Sequence, residues 1–174
     1  MNVLGISCFS HDAAASLVQN GKVVAAAMEE RFTRKKHDVG FPINAIIYCL
    51  QRGGVDADAL DAIAFYEDPY LKFERVLYRH IDAWPHSKDV FVRSIGSWLT
   101  SKLPIRRTIR RSLRGFPTKC RIYTVQHHLS HAASAYYCSP FTDAAILTID
   151  GVGDRRAGLV DLGHAGLQIS SSVR

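Results

Sequence analysis

The chain has no C-x-x-C pair. Its four cysteines, Cys8, Cys49, Cys120 and Cys138, are scattered over 174 residues. That spacing argues against a thiolate metal site and a disulfide scaffold, and it points to a reducing, cytoplasmic setting. No apolar run approaches the roughly 18 residues needed to cross a bilayer. The N-terminus, MNVLGISCFSHD, lacks the basic n-region of a secretion signal and reads instead as a first strand. Acidic residues are missing altogether from Val90 to Thr142, and the net charge of the chain is +6. Within that stretch Arg106, Arg107, Arg110, Arg111 and Arg114 recur at helical spacing. A basic helix of this kind binds phosphates, RNA or a membrane surface, or is simply a solvated face. No aromatic residues interleave with the arginines in a stacking pattern. There is no internal repeat and no low-complexity segment. Apolar residues make up 47% of the chain, enough for one domain with a sizeable core.

What is present begins with strands. Val3 to Cys8 and Ala13 to Val18 are apolar runs separated by the polar Ser10-His11-Asp12. Asn20-Gly21 follows between apolar runs, a strong short-range hairpin signal, and Val23 to Met28 makes a third strand. This predicts an antiparallel three-strand meander. Pro42 to Arg52 is apolar at helical period, with Ile43, Ile46, Ile47 and Leu50 as the buried stripe and Cys49 at its edge. Pro42 suits a first helical turn, and Gly53-Gly54 stops the helix. Leu60 to Tyr66 is a fourth strand. Residues 67 to about 115 read as a mostly helical insertion anchored by Trp84 and Trp98. Arg121 to Val125 is a strand, His127 to Tyr137 a helix, and Ala144 to Asp150 a strand.

The helix from His127 carries the chain's most specific local pattern. His127 and His131 are four residues apart, so both imidazoles share one helix face. A helix does not need that pair, whereas a metal does. Asp150, nineteen residues beyond His131 at the end of AAILTID, is a plausible third ligand. Two imidazoles and a carboxylate suit Zn, Fe or Mn better than Ca or Mg. His128 points roughly 100° away around the helix and is a supporting or surface residue. No glutamate follows His127, so the pattern is not the H-E-x-x-H of metalloproteases.

Two loops hold further candidates. In Ser10-His11-Asp12, a histidine beside an aspartate serves as a general base or orients a hydroxyl, or Asp12 merely supplies turn chemistry. The segment from Glu29 to Asp38, EERFTRKKHD, mixes both charges before Gly40-Phe41-Pro42. Such a run is ordinarily a solvated loop, but Arg34, Lys36 and His37 are candidates to hold a phosphate or carboxylate.

The β-β-β-α-β-α-β order is that of a ribonuclease-H-like unit, one half of an actin-like α/β fold. It has a mixed sheet and a helical insertion at about 67–115. Taken together, GISCFSHDAAASLV, EERFTRKKHDVGFP, QHHLSHAASAYYCSPF and LTIDGVGD resemble the successive N-terminal motifs of the O-carbamoyltransferases of nodulation-factor and antibiotic biosynthesis. The resemblance covers residues 1–154, and four motifs in order make it specific. It implies an enzyme that forms carbamoyl-adenylate from carbamoyl phosphate and ATP. The carbamoyl group then passes to a hydroxyl of a sugar or natural product. It implies a divalent metal, Fe(II), held by His127, His131 and Asp150 together with an aspartate from the second half of the fold. It implies His11 as catalytic base in an acceptor-binding loop, with Asp12 beside it.

Residues 155–174 fall outside the resemblance. A fragment, a truncated product and a shifted reading frame are the three readings of that tail. With length for one half of the fold, the isolated chain is expected to be inactive. The expected partners are a small-molecule hydroxyl acceptor, carbamoyl phosphate and ATP, and no membrane. A relative on the same fold that transfers threonylcarbamoyl to tRNA is the alternative that would use the arginine stripe. The first loop and the EERFTRKKHD segment favour the small-molecule family over it. A non-catalytic remnant is the third reading.

Overall fold

The computed structural model describes residues 1–9, 12–116, 119–148, 159–163 and 166–170, in two units, 1–124 and 125–174. The first unit is built on a five-stranded mixed sheet of order β3-β2-β1-β4-β5. Its strands are β1 (Asn2–Ser7), β2 (Ala14–Gln19), β3 (Lys22–Met28), β4 (Ala62–Phe65) and β5 (Arg121–Thr124). β1–β2 and β2–β3 are antiparallel, and β1–β4 and β4–β5 are parallel. This is the expected ribonuclease-H-like unit, with its meander first. Asn20 and Gly21 take φ of 49° and 80°, the left-handed pair that closes a two-residue hairpin.

Register explains the core. Ala25, Leu17, Leu4, Ile63 and Ile122 stand opposite one another across all five strands, on one face. All five are buried. Period-two alternation along each strand places every such row on a single side, so a second layer must cover it. That layer consists of α2 (Ile43–Gly53) and α5 (Ile105–Ser112), which share the buried cluster with the sheet. Burying each Leu or Ile there contributes about 1.5–3 kcal/mol.

α2 is rotated from the expected stripe. Its buried residues are Ala45, Ile46, Cys49 and Leu50, and Ile47 faces outward. The small Ala45 and Cys49 let the helix approach the sheet, where Cys49 Sγ donates to the Ala15 carbonyl at 3.4 Å. Tyr48, also outward, meets Phe32 at 5.7 Å between ring centroids. Gly53 is the last residue of the helix, and a Cβ there would collide with Leu17. Gly54, at φ 60°, caps it in the left-handed region.

The insertion is helical as expected. It comprises α3 (Pro69–Asp82), α4 (Lys88–Ser97), a π turn (Trp98–Lys102) and α5. Asp68 caps α3 by accepting from the Tyr70 and Leu71 amides, with Pro69 at the first position. Trp98 is buried against Phe73, but Trp84 is exposed. α5 is strongly two-sided. Ile105, Ile109 and Leu113 are buried, while Arg106, Arg107, Arg110, Arg111 and Arg114 are exposed. Its apolar face is therefore committed to the core.

The second unit holds α6 (His127–Tyr136) and a three-stranded antiparallel sheet of β6 (Ile146–Leu147), β7 (Leu159–Gly163) and β8 (Gly166–Ser170). β6 is shorter than the expected Ala144–Asp150 strand, whose last residues lie outside the described ones. β7 and β8 lie in the stretch after Asp154. No helix among the described residues is long and apolar enough to cross a membrane.

Thiol reactivity follows from this packing. Burial pushes the Cys8 thiol up to about 12 and raises that of Cys49 as well. Only the thiolate reacts. A brief pulse of a thiol reagent at pH 8, read by peptide mass spectrometry, should therefore label the exposed Cys138 and leave Cys8 and Cys49 untouched until the chain unfolds. Early labelling of Cys8 would contradict the fold.

Candidate functional site

The segment from Glu29 to Asp38 is organised rather than a free charged loop. Glu29, the residue after β3, is only 2% exposed. Its Oε1 accepts from the Asn44 amide at 3.2 Å and from Asn44 Nδ2 at 2.6 Å, and its Oε2 accepts from the Ala45 amide at 2.8 Å. These amides belong to the first turn of α2, whose own N-cap, Pro42, offers no side-chain oxygen. Glu29 thus caps α2 from fifteen residues away and sits at the positive end of the helix dipole. Nothing local in the sequence separates Glu29 from its neighbour Glu30, and only the approach of β3 to α2 tells them apart.

A single helical turn follows, α1 (Glu30–Thr33), which the charge pattern does not reveal. Arg34 closes it at φ 59°, and His37 is again left-handed at φ 54°. Asp38 accepts from the Gly40 amide at 2.9 Å and the Thr33 hydroxyl at 3.0 Å. Those two bonds, with Lys35 nearby, hold its carboxyl below the usual range. Arg34 and Lys36 are exposed, and neither forms an ion pair among the described residues.

This segment is laced to the β1–β2 turn. The Phe9 amide donates to the Val39 carbonyl at 2.8 Å, and the Ala13 amide to the Asp38 carbonyl at 2.7 Å. Between those ties Asp12 Oδ1 lies 3.0 Å from His37 Nδ1. The His37 amide donates to Glu30 Oε2 at 3.1 Å. Asp12, Glu30 and His37 together present ligand-type atoms within 4.8 Å of one another. The fold therefore brings two sequence candidates, Asp12 and His37, into one group across 25 residues. His11, the candidate base, lies outside the described residues.

In the second unit, α6 brings together His127 and His131. Their Nε2 atoms are 3.1 Å apart, and the rings are nearly perpendicular, with centroids 4.5 Å apart. Helical spacing places them so, and the helix is seated by the buried Ala132 together with Tyr136, whose hydroxyl donates to the Thr142 carbonyl. The His128 ring lies 6.2 Å from that of His127, tilted by 41°. Asp150, the third candidate ligand, lies outside the described residues.

The separation of the two imidazole nitrogens can be set against metal geometry. At metal–nitrogen distances of about 2.0–2.1 Å, two adjacent ligands in octahedral or tetrahedral positions stand about 2.8–3.4 Å apart. The observed separation of the two Nε2 atoms, 3.1 Å, falls inside that range. The pair fits one divalent ion of the borderline class.

Comparison with known proteins supplies the family. The family model described as carbamoyltransferase N-terminus matches residues 2–172 and so takes in most of the stretch after Asp154. The uncharacterized protein sll1178 of Synechocystis sp. is 42% identical over 159 residues, 88% of this chain and 26% of that protein. Nodulation protein NolNO of Sinorhizobium fredii is 38% identical over 155 residues, 89% of this chain and 22% of that protein. The chain thus spans about a quarter of the length of these curated relatives. Among solved structures, YeaZ from Pseudomonas aeruginosa superposes with a TM-score of 0.51 at 15% identity, covering 98% of this chain and 65% of that one. A second structure, an uncharacterized protein with similarity to peptidase YEAZ from Pseudomonas aeruginosa, gives a TM-score of 0.52, also at 15% identity, covering 98% of this chain and 64% of that one. At that identity the likeness shows the fold alone, which is the actin-like ATPase fold. With the family model matched from residue 2 to residue 172, the chain belongs to the carbamoyltransferase N-terminus family.

Proposed function

We propose that this chain is the N-terminal part of an enzyme that transfers a carbamoyl group to a hydroxyl of a sugar or other natural product. The donor is carbamoyl-adenylate, formed from carbamoyl phosphate and ATP, and the enzyme works in the cytoplasm. The observation that carries the reading is the family match across residues 2–172, into which the paired imidazoles of α6 fit. His127 and His131 would hold a divalent metal, Fe(II) by resemblance, with Asp150 as a third ligand. Such an ion supplies Lewis acidity towards a carbonyl or phosphoryl oxygen. Arg34 and Lys36, exposed and without ion pairs among the described residues, suit the phosphate of the adenylate. The attacking hydroxyl must also lose a proton, and His11, in the acceptor loop of the resemblance, is one candidate to take it.

The test is transfer of label from carbamoyl phosphate. A protein containing this chain within a full-length family member, given ATP, labelled carbamoyl phosphate and a pool of sugars, is expected to carbamoylate a hydroxyl and release AMP. The 174-residue chain alone is expected to give no turnover. Absence of ATP-dependent labelling by the full-length protein would overturn the reading.

A further inference from the structure

We propose that His37, oriented by Asp12, is the group that takes the proton from the acceptor hydroxyl, a role the resemblance gives to His11. The inference rests on the carbamoyl-transfer reading and deepens it.

The geometry is that of a carboxylate–imidazole dyad. Asp12 Oδ1 meets His37 Nδ1 at 3.0 Å. A carboxylate only accepts, so the proton of a neutral imidazole is drawn to Nδ1, and the lone pair is left on Nε2. That Nε2 has no partner among the described residues, and the His37 side chain is 70% exposed, open to a substrate. Exposure alone would leave the ring free to wander, but the backbone around it is fixed. The His37 amide is held by Glu30, and the residues after Asp12 and His37 are joined by the Ala13–Asp38 bond. Asp12 and His37 are thus brought together by the frame and do not depend on their own contact alone.

The left-handed backbone at His37 adds to this. A non-glycine residue at φ 54° carries strain, and such strain persists only where the surroundings impose it. Here it turns the ring towards Asp12. Phosphate binding does not need that arrangement, because Arg34 and Lys36 already offer permanent cations on the same loop.

The step balances. The acceptor O–H bond breaks and its proton passes to His37 Nε2. The acceptor oxygen bonds to the carbamoyl carbon, and the bond from that carbon to the phosphate oxygen breaks, releasing AMP. Asp12 stabilises the imidazolium that forms, as the aspartate of a hydrolase triad does. Asp12 is a positioning residue, and His37 is the proposed catalytic one.

The experiment has two readouts. First, imidazole nitrogen NMR of the 174-residue chain should show His37 protonated at Nδ1, and Asp12→Asn should redistribute the tautomers. A His37 tautomer unchanged by Asp12→Asn would overturn the dyad. Broadening of the His37 signals by stoichiometric Mn²⁺ would mark Asp12, Glu30 and His37 as a cation site and would also overturn it. Second, His37→Gly suits the left-handed backbone and is expected to fold. In the full-length enzyme it should lower carbamoyl transfer to pooled sugars by about 10²–10⁴-fold. Added imidazole should restore at least about tenfold of that loss, a rescue that a structural role would not allow. Wild-type enzyme without transfer would remove the functional reading and this inference together. Active wild type with His37→Gly within about twofold, or rescue confined to His11→Gly, would remove this inference alone.

Discussion

Glu29→Ala should lower the stability of the 1–124 unit by about 2–4 kcal/mol, a fall on the order of 10 °C in its melting temperature. Three donors lose their acceptor at once, two of them main-chain amides in the first turn of α2. That turn has no other side-chain cap, so its amides are left without partners next to a packed core. The favourable placement of a carboxylate at the helix N-terminus is lost as well, worth up to about 2 kcal/mol in a partly buried setting. Glu29→Gln keeps the shape and one acceptor oxygen, and it should fall between wild type and alanine. Denaturant titration measures the change, and amide exchange locates it. Protection should weaken first at Asn44 and Ala45 and in the segment from Glu30 to Asp38, whose start Glu29 anchors. A change below about 0.5 kcal/mol would show that the bonds to α2 are dispensable.

His131→Ala should abolish the metal binding proposed for the second unit. Removing a hydrogen bond that merely supports a ligand lowers metal affinity about 10–100-fold, and removing a ligand should exceed that. Anaerobic equilibration of the chain with Fe(II) or Zn(II), followed by elemental analysis, is expected to show binding by wild type and affinity at least about 100-fold weaker for His131→Ala. His127→Ala should behave alike, because both Nε2 atoms point to one spot. His128→Ala should keep the metal, since His128 stands about 100° around the helix from His127. Equal occupancy in wild type and His131→Ala would rule the site out. The three substitutions are read on the same helix, so a general loss of folding would affect His128→Ala too and be recognised.

Both predictions rest on structure of different reach. The histidine pair is a local feature: four residues on a helix bring two side chains to one face whatever surrounds it. The Glu29 cap is not local. A glutamate in a charged run becomes a buried acceptor only when β3 delivers it to the start of a helix fifteen residues further on. The misplaced stripe of α2 has the same origin. Periodicity shows which residues are apolar, but Ala45 and Cys49 won the sheet-facing positions because their small size permits close approach. Ile47 was left outside. Trp84 and Trp98 are equally apolar in the sequence, but Trp98 is buried against Phe73 and Trp84 is exposed.

By itself the sequence determined the strand meander, its Asn-Gly hairpin, the helical insertion, the i,i+4 imidazole pair and the family motifs. Each depends on interactions within a few residues, or on a period that matches its secondary structure. Tertiary structure alone decided which of two adjacent glutamates is buried, which helix face meets the sheet, and that Asp12 and His37 form a pair. Those outcomes depend on contacts across 15 to 34 residues of chain, set by how strands and loops are laced together after the local elements have formed.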